Sequence, residues 1–243
     1  MAKSVDLNSD VGEGYGAWPG GPDRELMAII TSANIACGFH AGDPSIMRRT
    51  CEMAVENNVA IGAHVSYPDL AGFGRRFIDM KPDELADAVV YQLGALAACA
   101  GVAGSSVSYV KPHGALYNTI VRHPEQAEAV ASAVKRYDAK LPLLGLPGTD
   151  SAIEHAAAEH GLTFLFEGFA DRGYAPDGTL IPRSQPGALL TDEGAASKQA
   201  VEVADRGIVS ICLHSDTPGA AELGAAVAVA LMQAGFELRA FTR

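Results

Sequence analysis

The feature that most constrains this chain is an alternation that runs along its whole length. Short β-branched or small apolar runs, at 4–7, 32–36, 60–65, 107–111, 143–146, 163–167 and 209–213, predict strands. Between or after them, helical periodicity predicts helices over 45–57, 82–100, 124–137, 150–160, 192–206 and 219–234. The helix ends have local causes. Pro82 and Pro124 suit a first turn, where no N–H is needed. Asp192 can cap the next helix, and Gly161 and Gly207 lie just past helix ends, where left-handed backbone is cheap. Strands joined through helices pair in parallel with right-handed crossovers. With 243 residues and no linker-like stretch, the expectation is one α/β domain over 1–243, a single (β/α) barrel of about seven strands. An open doubly wound sheet is the alternative topology. The longest irregular stretches, 66–81 and 168–190, are where a compact domain carries function.

In parallel α/β folds the C-terminal strand ends share one rim, and active sites sit there. Nearly every predicted strand here runs into ionisable residues. Asn8, Asp10 and Glu13 follow the first, and Asn34, Cys37, His40 and Asp43 accompany the second. His64 closes the third, Lys111 and His113 the fourth. Glu167 and Asp171 go with the sixth, His214 and Asp216 with the seventh. Four of the seven histidines (His40, His64, His113, His214) thus fall on one rim, while His123, His155 and His160 go with helix surfaces. A lone strand-end histidine is usually a structural hydrogen-bonder, but four with carboxylates from separate strands suggest a site. Neutral imidazole and carboxylate form a common divalent-metal ligand set, and the same groups serve as general acid and base without metal. The sequence leaves both readings open.

Other classes are disfavoured. Lys plus Arg total 18 against 29 Asp plus Glu, a formal charge of -11, so nucleic acid and anionic membrane surfaces are poor partners. Cys37, Cys51, Cys99 and Cys212 form no C-x-x-C pair and fit reduced thiols of a cytoplasmic protein. No apolar signal-like segment is expected in the first ten residues, and the Ala-rich stretches 88–103 and 220–234 read as buried helices. The glycines at 12, 14 and 16 loosely match a dinucleotide fingerprint. Trp18-Pro19-Gly20-Gly21-Pro22 follows instead of a helix, so a loop passing close to substrate or partner is the better reading. No G-x-x-x-x-G-K-[ST] or G-x-S-x-G motif occurs, so ATP, if used, is expected to be bound mainly elsewhere. Cys37 reads as a buried strand-end thiol before a nucleophile. Arg75, Arg76 and Arg183 lie on Gly/Pro-rich loops, where arginine suits bidentate capture of a carboxylate.

Several long segments together resemble the LamB/YcsF family. They are Asp6-Leu-Asn-Ser-Asp-Val-Gly-Glu-Gly14, Ser32-Ala-Asn-Ile-Ala-Cys-Gly-Phe-His-Ala-Gly-Asp-Pro44, Gly62-Ala-His64, Ser66-Tyr-Pro-Asp-Leu70 and Gly72-Phe-Gly-Arg-Arg76. Val110-Lys-Pro-His-Gly-Ala-Leu-Tyr-Asn118, Glu167-Gly-Phe-Ala-Asp171, Pro182-Arg-Ser-Gln-Pro-Gly187, His214 and Asp216-Thr-Pro-Gly219 complete the set. Val65 and Ser215 depart from the pattern, standing where Pro and Gly are expected. The resemblance implies a barrel like that of glycoside hydrolases and deacetylases. It implies a complex with two further subunits, B and C, of an ATP-dependent 5-oxoprolinase, which opens 5-oxo-L-proline to L-glutamate as ATP becomes ADP and phosphate. By analogy with sugar deacetylases of similar fold, Asp10, His64 and His113 would hold a divalent metal. Glu13 or Asp171 would be the base, Lys111 or His40 would stabilise an oxyanion, and Arg183 or Arg76 would bind the substrate carboxylate, with Asn34 and His214 as further substrate contacts. The competing readings are a stand-alone metal-dependent amide or sugar hydrolase and a non-catalytic binding subunit.

Overall fold

The computed structural model describes residues 3–148, 150–175 and 178–242. The ends of the expected 1–243 domain, and Pro176 and Asp177 of the expected 168–190 loop, lie outside the described residues. The strands are β1 (Lys3–Val11), β2 (Ser32–Ala36), β3 (Ala60–His64), β4 (Val107–Val110), β5 (Leu143–Gly145), β6 (Phe164–Phe169), β7 (Ser210–His214) and β8 (Phe236–Leu238). The helices are α1 (Asp23–Met27), α2 (Pro44–Glu56), α3 (Pro82–Val102), α4 (Gly114–Thr119), α5 (Pro124–Asp138), α6 (Ala152–Glu159), α7 (Glu193–Asp205) and α8 (Ala220–Gln233). Strands β2 to β7 pair in sequence order, β7 pairs with β1, and β1 pairs back with β2, all in parallel. The ring is therefore a closed seven-stranded (β/α) barrel, and the open sheet is excluded. Strand β8 adds outside the ring, against Lys3 to Val5 of β1.

Two features depart from expectation. Strand β1 runs four residues past the expected end at Leu7, so Asn8 and Asp10 lie within it, as Asn34 lies within β2. The short elements α1, α4 and β8 carry too few residues to announce a periodicity. The six longer helices fall within a few residues of expectation. Asp43 caps α2 by accepting from the backbone N–H groups of Ser45 and Ile46, and Asp192 caps α7 through Ala195. Helix α3 is, among the described residues, the one helix long and apolar enough to cross a membrane by length and composition. Its Leu85, Val89, Leu93, Leu96 and Ala100 pack into the protein core.

The main apolar core lies between ring and helices. Leu7, Ile35, Ile61, Val110, Ile211 and Leu213 meet Leu93, Leu96, Val130, Leu223 and Val227 there. Because strand side chains alternate with period two, the residues between them point into the barrel. Barrels of this kind usually fill that space with branched apolar side chains. Here it is largely polar. At the bottom, Asp6 accepts hydrogen bonds from Thr31 (2.5 Å), Ser32 (2.6 Å) and Ser210. Above it, Asn8 donates to Ser210 Oγ (2.7 Å), Asn34 donates to Asn8 Oδ1 (2.7 Å), and Tyr109 Oη donates to Asn34 Oδ1 (2.6 Å). Strands β4 and β2 are not neighbours, so the Tyr109 bond crosses the interior. Gly62 makes room for it: a Cβ there would lie 2.1 Å from the Tyr109 ring. Such buried polar groups persist because each meets partners.

Candidate active site

The polar interior opens at the C-terminal strand ends into a cavity of about 350 Å³. Its floor is Asp10, Glu13, His64, Lys111, His113 and His214. Asp10 Oδ1 accepts from Asn34 Nδ2 (2.8 Å) and Lys111 Nζ (3.1 Å), and its Oδ2 lies 3.3 Å from His64 Nε2. Lys111 also reaches Glu167 Oε2 (3.1 Å), Asn8 Oδ1 (3.3 Å) and Cys212 Sγ (3.1 Å). Burial opposes charge on both residues. His64 and Lys111 nonetheless hold the Asp10 carboxyl well below the usual range, and Asp10 and Glu167 hold the Lys111 ammonium well above its usual value.

The imidazoles are oriented by backbone. His64 Nδ1 donates to Lys111 O (2.9 Å), and His113 Nε2 donates to Phe73 O (2.8 Å). A carbonyl only accepts, so both ring protons are committed there. The remaining atoms, His64 Nε2 and His113 Nδ1, face each other at 3.0 Å. Glu13 Oε1 lies 3.4 Å from His113 Nδ1 and 3.9 Å from His64 Nε2. Two neutral rings would thus direct two lone pairs and a carboxylate at one point, which requires a cation or a proton between them. Burial, then the neighbouring histidines, pushes His113 well below its usual pKa. Burial also opposes charge on His64, but Asp10 outweighs it and raises the ring. Burial, with Asp10 beside it, lifts Glu13 to about 7. The donor set fits a divalent metal. Ligand bonds of about 2.0–2.1 Å in a tetrahedron imply ligand–ligand edges of roughly 3.3 Å, near the 3.0 and 3.4 Å separations here and shorter than the 3.9 Å one, and His40 adds a fourth donor within reach of the same group. A second group, Asp10, Cys212 and His214, fits less well, because burial holds the Cys212 thiol protonated.

The loop 72–76 presses onto this pair. Phe73 sits in left-handed backbone (φ 54°), and a Cβ on Gly74 would meet Ser66, His113 and His40 at 2.4 to 2.8 Å. His40 stacks on His113 (centroids 3.8 Å apart, 7° between planes), and its Nε2 lies 3.0 Å from Glu13 Oε1. His214 is oriented from behind: its Nδ1 lies 3.0 Å from Asp171 Oδ1, Thr217 donates to Asp171 Oδ2 (2.5 Å), and Nε2 is left facing Asp10 Oδ2 at 3.9 Å. Burial opposes the Asp171 charge, yet His214 and Thr217 hold its carboxyl below the usual value.

At the mouth, Arg75 and Arg183 both reach Asp216, the latter at 3.0 Å, and all three line the cavity. Arg172, beside them, donates to Ala188 O (3.0 Å) and Ile181 O (2.7 Å). The structure therefore gathers Asp10, Glu13, His64, Lys111, His113, His214 and Arg183 around one cavity. Four expected site residues stand elsewhere. Asn34 lies beneath the floor and braces Asp10. His40 lies behind His113 and braces Glu13. Asp171 is fully buried behind His214. Arg76 turns away and pairs with Asp69, and its neighbour Arg75 enters the cavity instead. Tyr117, Phe169 and Arg172 of the wall are not singled out by the sequence. Tyr117 rides on the short α4 and Arg172 on an irregular loop, so neither leaves a periodic signal.

The LamB/YcsF family model matches residues 5–243. The chain belongs to the LamB/YcsF family. Among its relatives, the 5-oxoprolinase A subunit of Kocuria rhizophila is 53% identical, with 98% of each chain covered. A lactam utilization protein of Thermus thermophilus superposes with a TM-score of 0.92 at 43% identity, over 98% of this chain and 100% of that one. A polysaccharide deacetylase of Bacillus cereus shares the fold alone, with a TM-score of 0.55 at 12% identity over 99% of this chain and 93% of that one. The polar barrel interior and the Glu13–His64–His113 pocket thus belong to a LamB/YcsF chain whose ring resembles that of deacetylases.

Proposed function

We propose that this chain is the A component of a cytoplasmic, ATP-dependent 5-oxoprolinase that works with B and C partner subunits and opens 5-oxo-L-proline to L-glutamate. The observation that carries the reading is the polarity of the cavity: guanidinium groups at its mouth and carboxylate–imidazole chemistry on its floor. A lactam bearing a carboxylate matches that gradient, with its acid group outward and its amide inward. The names of close relatives support the same substrate.

The five-membered lactam resists simple hydrolysis, because amine and acyl group are held together and re-close at high effective molarity. ATP would supply the drive. No phosphate-binding loop of the G-x-x-x-x-G-K-[ST] kind occurs in the sequence, so partner subunits would bind most of the nucleotide. In this chain, Glu13 is the base that takes a proton from attacking water, since a carboxyl near 7 exchanges protons readily at neutral pH. The departing nitrogen needs the proton that Glu13 takes from water, and His214, fixed by Asp171 with Nε2 toward the cavity, would relay it. Asp10 and Lys111 hold the floor in register. If a divalent cation is bound, Glu13, His64 and His113 would hold it with Asp10 alongside, it would supply Lewis-acid polarisation of a carbonyl, and Glu13 would then act as a ligand in place of its role as base.

The test is reconstitution. The chain, its B and C partners, 5-oxoproline and ATP are combined, glutamate is measured, and each component is omitted in turn. Glu13→Gln and His113→Ala in this chain are expected to abolish glutamate formation while leaving its melting curve cooperative. Glutamate formation that survives both changes would overturn the assigned roles. Turnover without ATP or partners would favour the stand-alone hydrolase. Metal analysis of the purified chain, with titration of Zn²⁺ or Mn²⁺ into wild type and His113→Ala, separates a bound cation from a shared proton.

A further inference from the structure

The cavity mouth contains an arrangement that the catalytic floor does not explain. Arg75 comes from the loop after β3, Arg183 from the loop after β6, and Asp216 from the turn after β7. Two separate loops thus converge on the carboxylate of a third segment. Arg183 Nη1 lies 3.2 Å from Asp216 Oδ1 and 3.0 Å from Oδ2, and Arg75 Nη2 donates to Oδ2 as well. Burial opposes the charge on Asp216, but Arg183 and Arg75 keep it ionised, holding its carboxyl below the usual value. Arg172 feels the same pair: burial and then the Arg183 charge lower its pKa. Two guanidinium groups therefore hold one carboxylate, with Arg172 close enough to feel their charge, in a chain whose formal charge is -11. Arg172 is fixed to backbone carbonyls, whereas the Arg75, Arg183 and Asp216 side chains are 39%, 26% and 31% exposed and line the cavity.

A structural salt bridge needs one cation. Two arginines on one half-exposed carboxylate form instead a fork for an oxyacid group, with Asp216 standing where that group would sit. Arg76 shows the contrast: it is held on Asp69, outside the cavity.

We propose that Arg75 and Arg183 form the subsite for the acid group of a small anionic substrate, and that Asp216 is an internal competitor which this group displaces on binding. The inference rests on the reading of the cavity as a substrate site and adds the residues that select for charge. Displacement makes anion binding an exchange of one carboxylate for another. It weakens affinity for the charged ligand, keeps the fork ordered when empty, and rejects uncharged lactams, which cannot replace Asp216. The same fork could accept a carboxylate or a phosphate oxyanion, and the ligands of the test separate these.

The test is calorimetric titration of the whole purified chain, as wild type, Asp216→Asn and Arg183→Gln, with 5-oxo-L-proline, its uncharged carboxamide and inorganic phosphate. Circular dichroism melts check that all three proteins are folded, and Asp216→Ala serves if the Asn variant is not. Removing the competitor is expected to tighten 5-oxoproline binding by about fivefold, since a partly exposed ion pair competes with roughly that strength. Arg183→Gln weakens it and leaves carboxamide binding unchanged. Tightening of phosphate alone keeps the subsite, assigns it to a phosphoryl group and removes the lactam carboxylate as its ligand. Equal or weaker binding of every anion to Asp216→Asn overturns the proposal, as does absence of anion binding to all the proteins. Glutamate formation by the reconstituted complex is a separate readout, so failure of the competitor idea and failure of the lactam reading are distinguishable.

Discussion

Replacing Lys111 by Met probes the polar interior most directly. The ammonium lies within 3.1 Å of Asp10 Oδ1, Glu167 Oε2 and Cys212 Sγ and 3.3 Å of Asn8 Oδ1. Its side chain is 3% exposed. Methionine keeps most of the hydrocarbon stem and removes the charge, leaving Asp10 and Glu167 buried without their shared cation. Breaking a buried pair from one side costs about 3–5 kcal/mol. In a domain of this size 1 kcal/mol moves Tm by roughly 2–4 °C, so Tm should fall by about 6–20 °C. The assay is urea denaturation and calorimetry at pH 7 with a chelator present, so that a bound metal does not vary between proteins. Lys111→Met/Glu167→Gln should recover part of the loss, because the second change removes a stranded carboxylate. A loss under about 1 kcal/mol, or strict additivity in the double variant, would refute the view that Lys111 neutralises the interior. A lysine held by four partners acts on substrate chiefly by positioning Asp10.

Other outcomes follow from the same layers. Burial, despite three hydroxyl donors, lifts Asp6 to about 6 from an ordinary 3.8, so the folded state binds the proton more tightly than the unfolded chain. The stability this contributes is present below pH 3.8 and is lost as pH rises through about 6. Asp6→Asn should therefore gain about 3 kcal/mol on wild type between pH 4 and 7, read by urea midpoints at each pH, and parallel pH curves would contradict the burial argument. Gly62→Ala should cost at least about 2 kcal/mol, because its Cβ meets the Tyr109 ring, and a wild-type melting curve would show that the ring has other space. Arg76→Ala should leave 5-oxoproline affinity unchanged while Arg75→Ala weakens it, as measured by titration; the reverse order would place the wrong arginine in the cavity.

Much of the fold and part of the site are legible in the sequence for definite reasons. The strand–helix alternation is a period signal carried by tens of residues, so the parallel α/β class and its longer helices follow from it, while a closed ring and an open sheet share that signal. His64, Lys111, His113 and His214 are legible because each closes a strand or follows one within three residues, and in a parallel ring all such ends face one way. Asp6, Asn8 and Asp10 carry a period-two polar signal in β1, but Asn8 and Asp10 read as a rim until the ring closes and turns those positions inward. Which side chain enters the cavity is not legible. Arg75 and Arg76 are chemically equal neighbours, and the left-handed turn at Phe73 and Gly74, with Asp69 waiting on one side, separates them.

The sequence by itself determined the order of elements, their parallel pairing and the kinds of chemistry available at the strand ends, because these depend on local periodicity and residue type, whereas closure of the sheet into a ring came from the β1–β2 and β1–β7 pairings. Only the tertiary structure decided which groups act and which brace them. Asn34, His40 and Asp171 became supports, and Glu13 joined His64 and His113 at one point. The reason is that ionisation and ligation depend on separations of a few ångströms in a dry interior, and those separations arise between strands far apart in the chain.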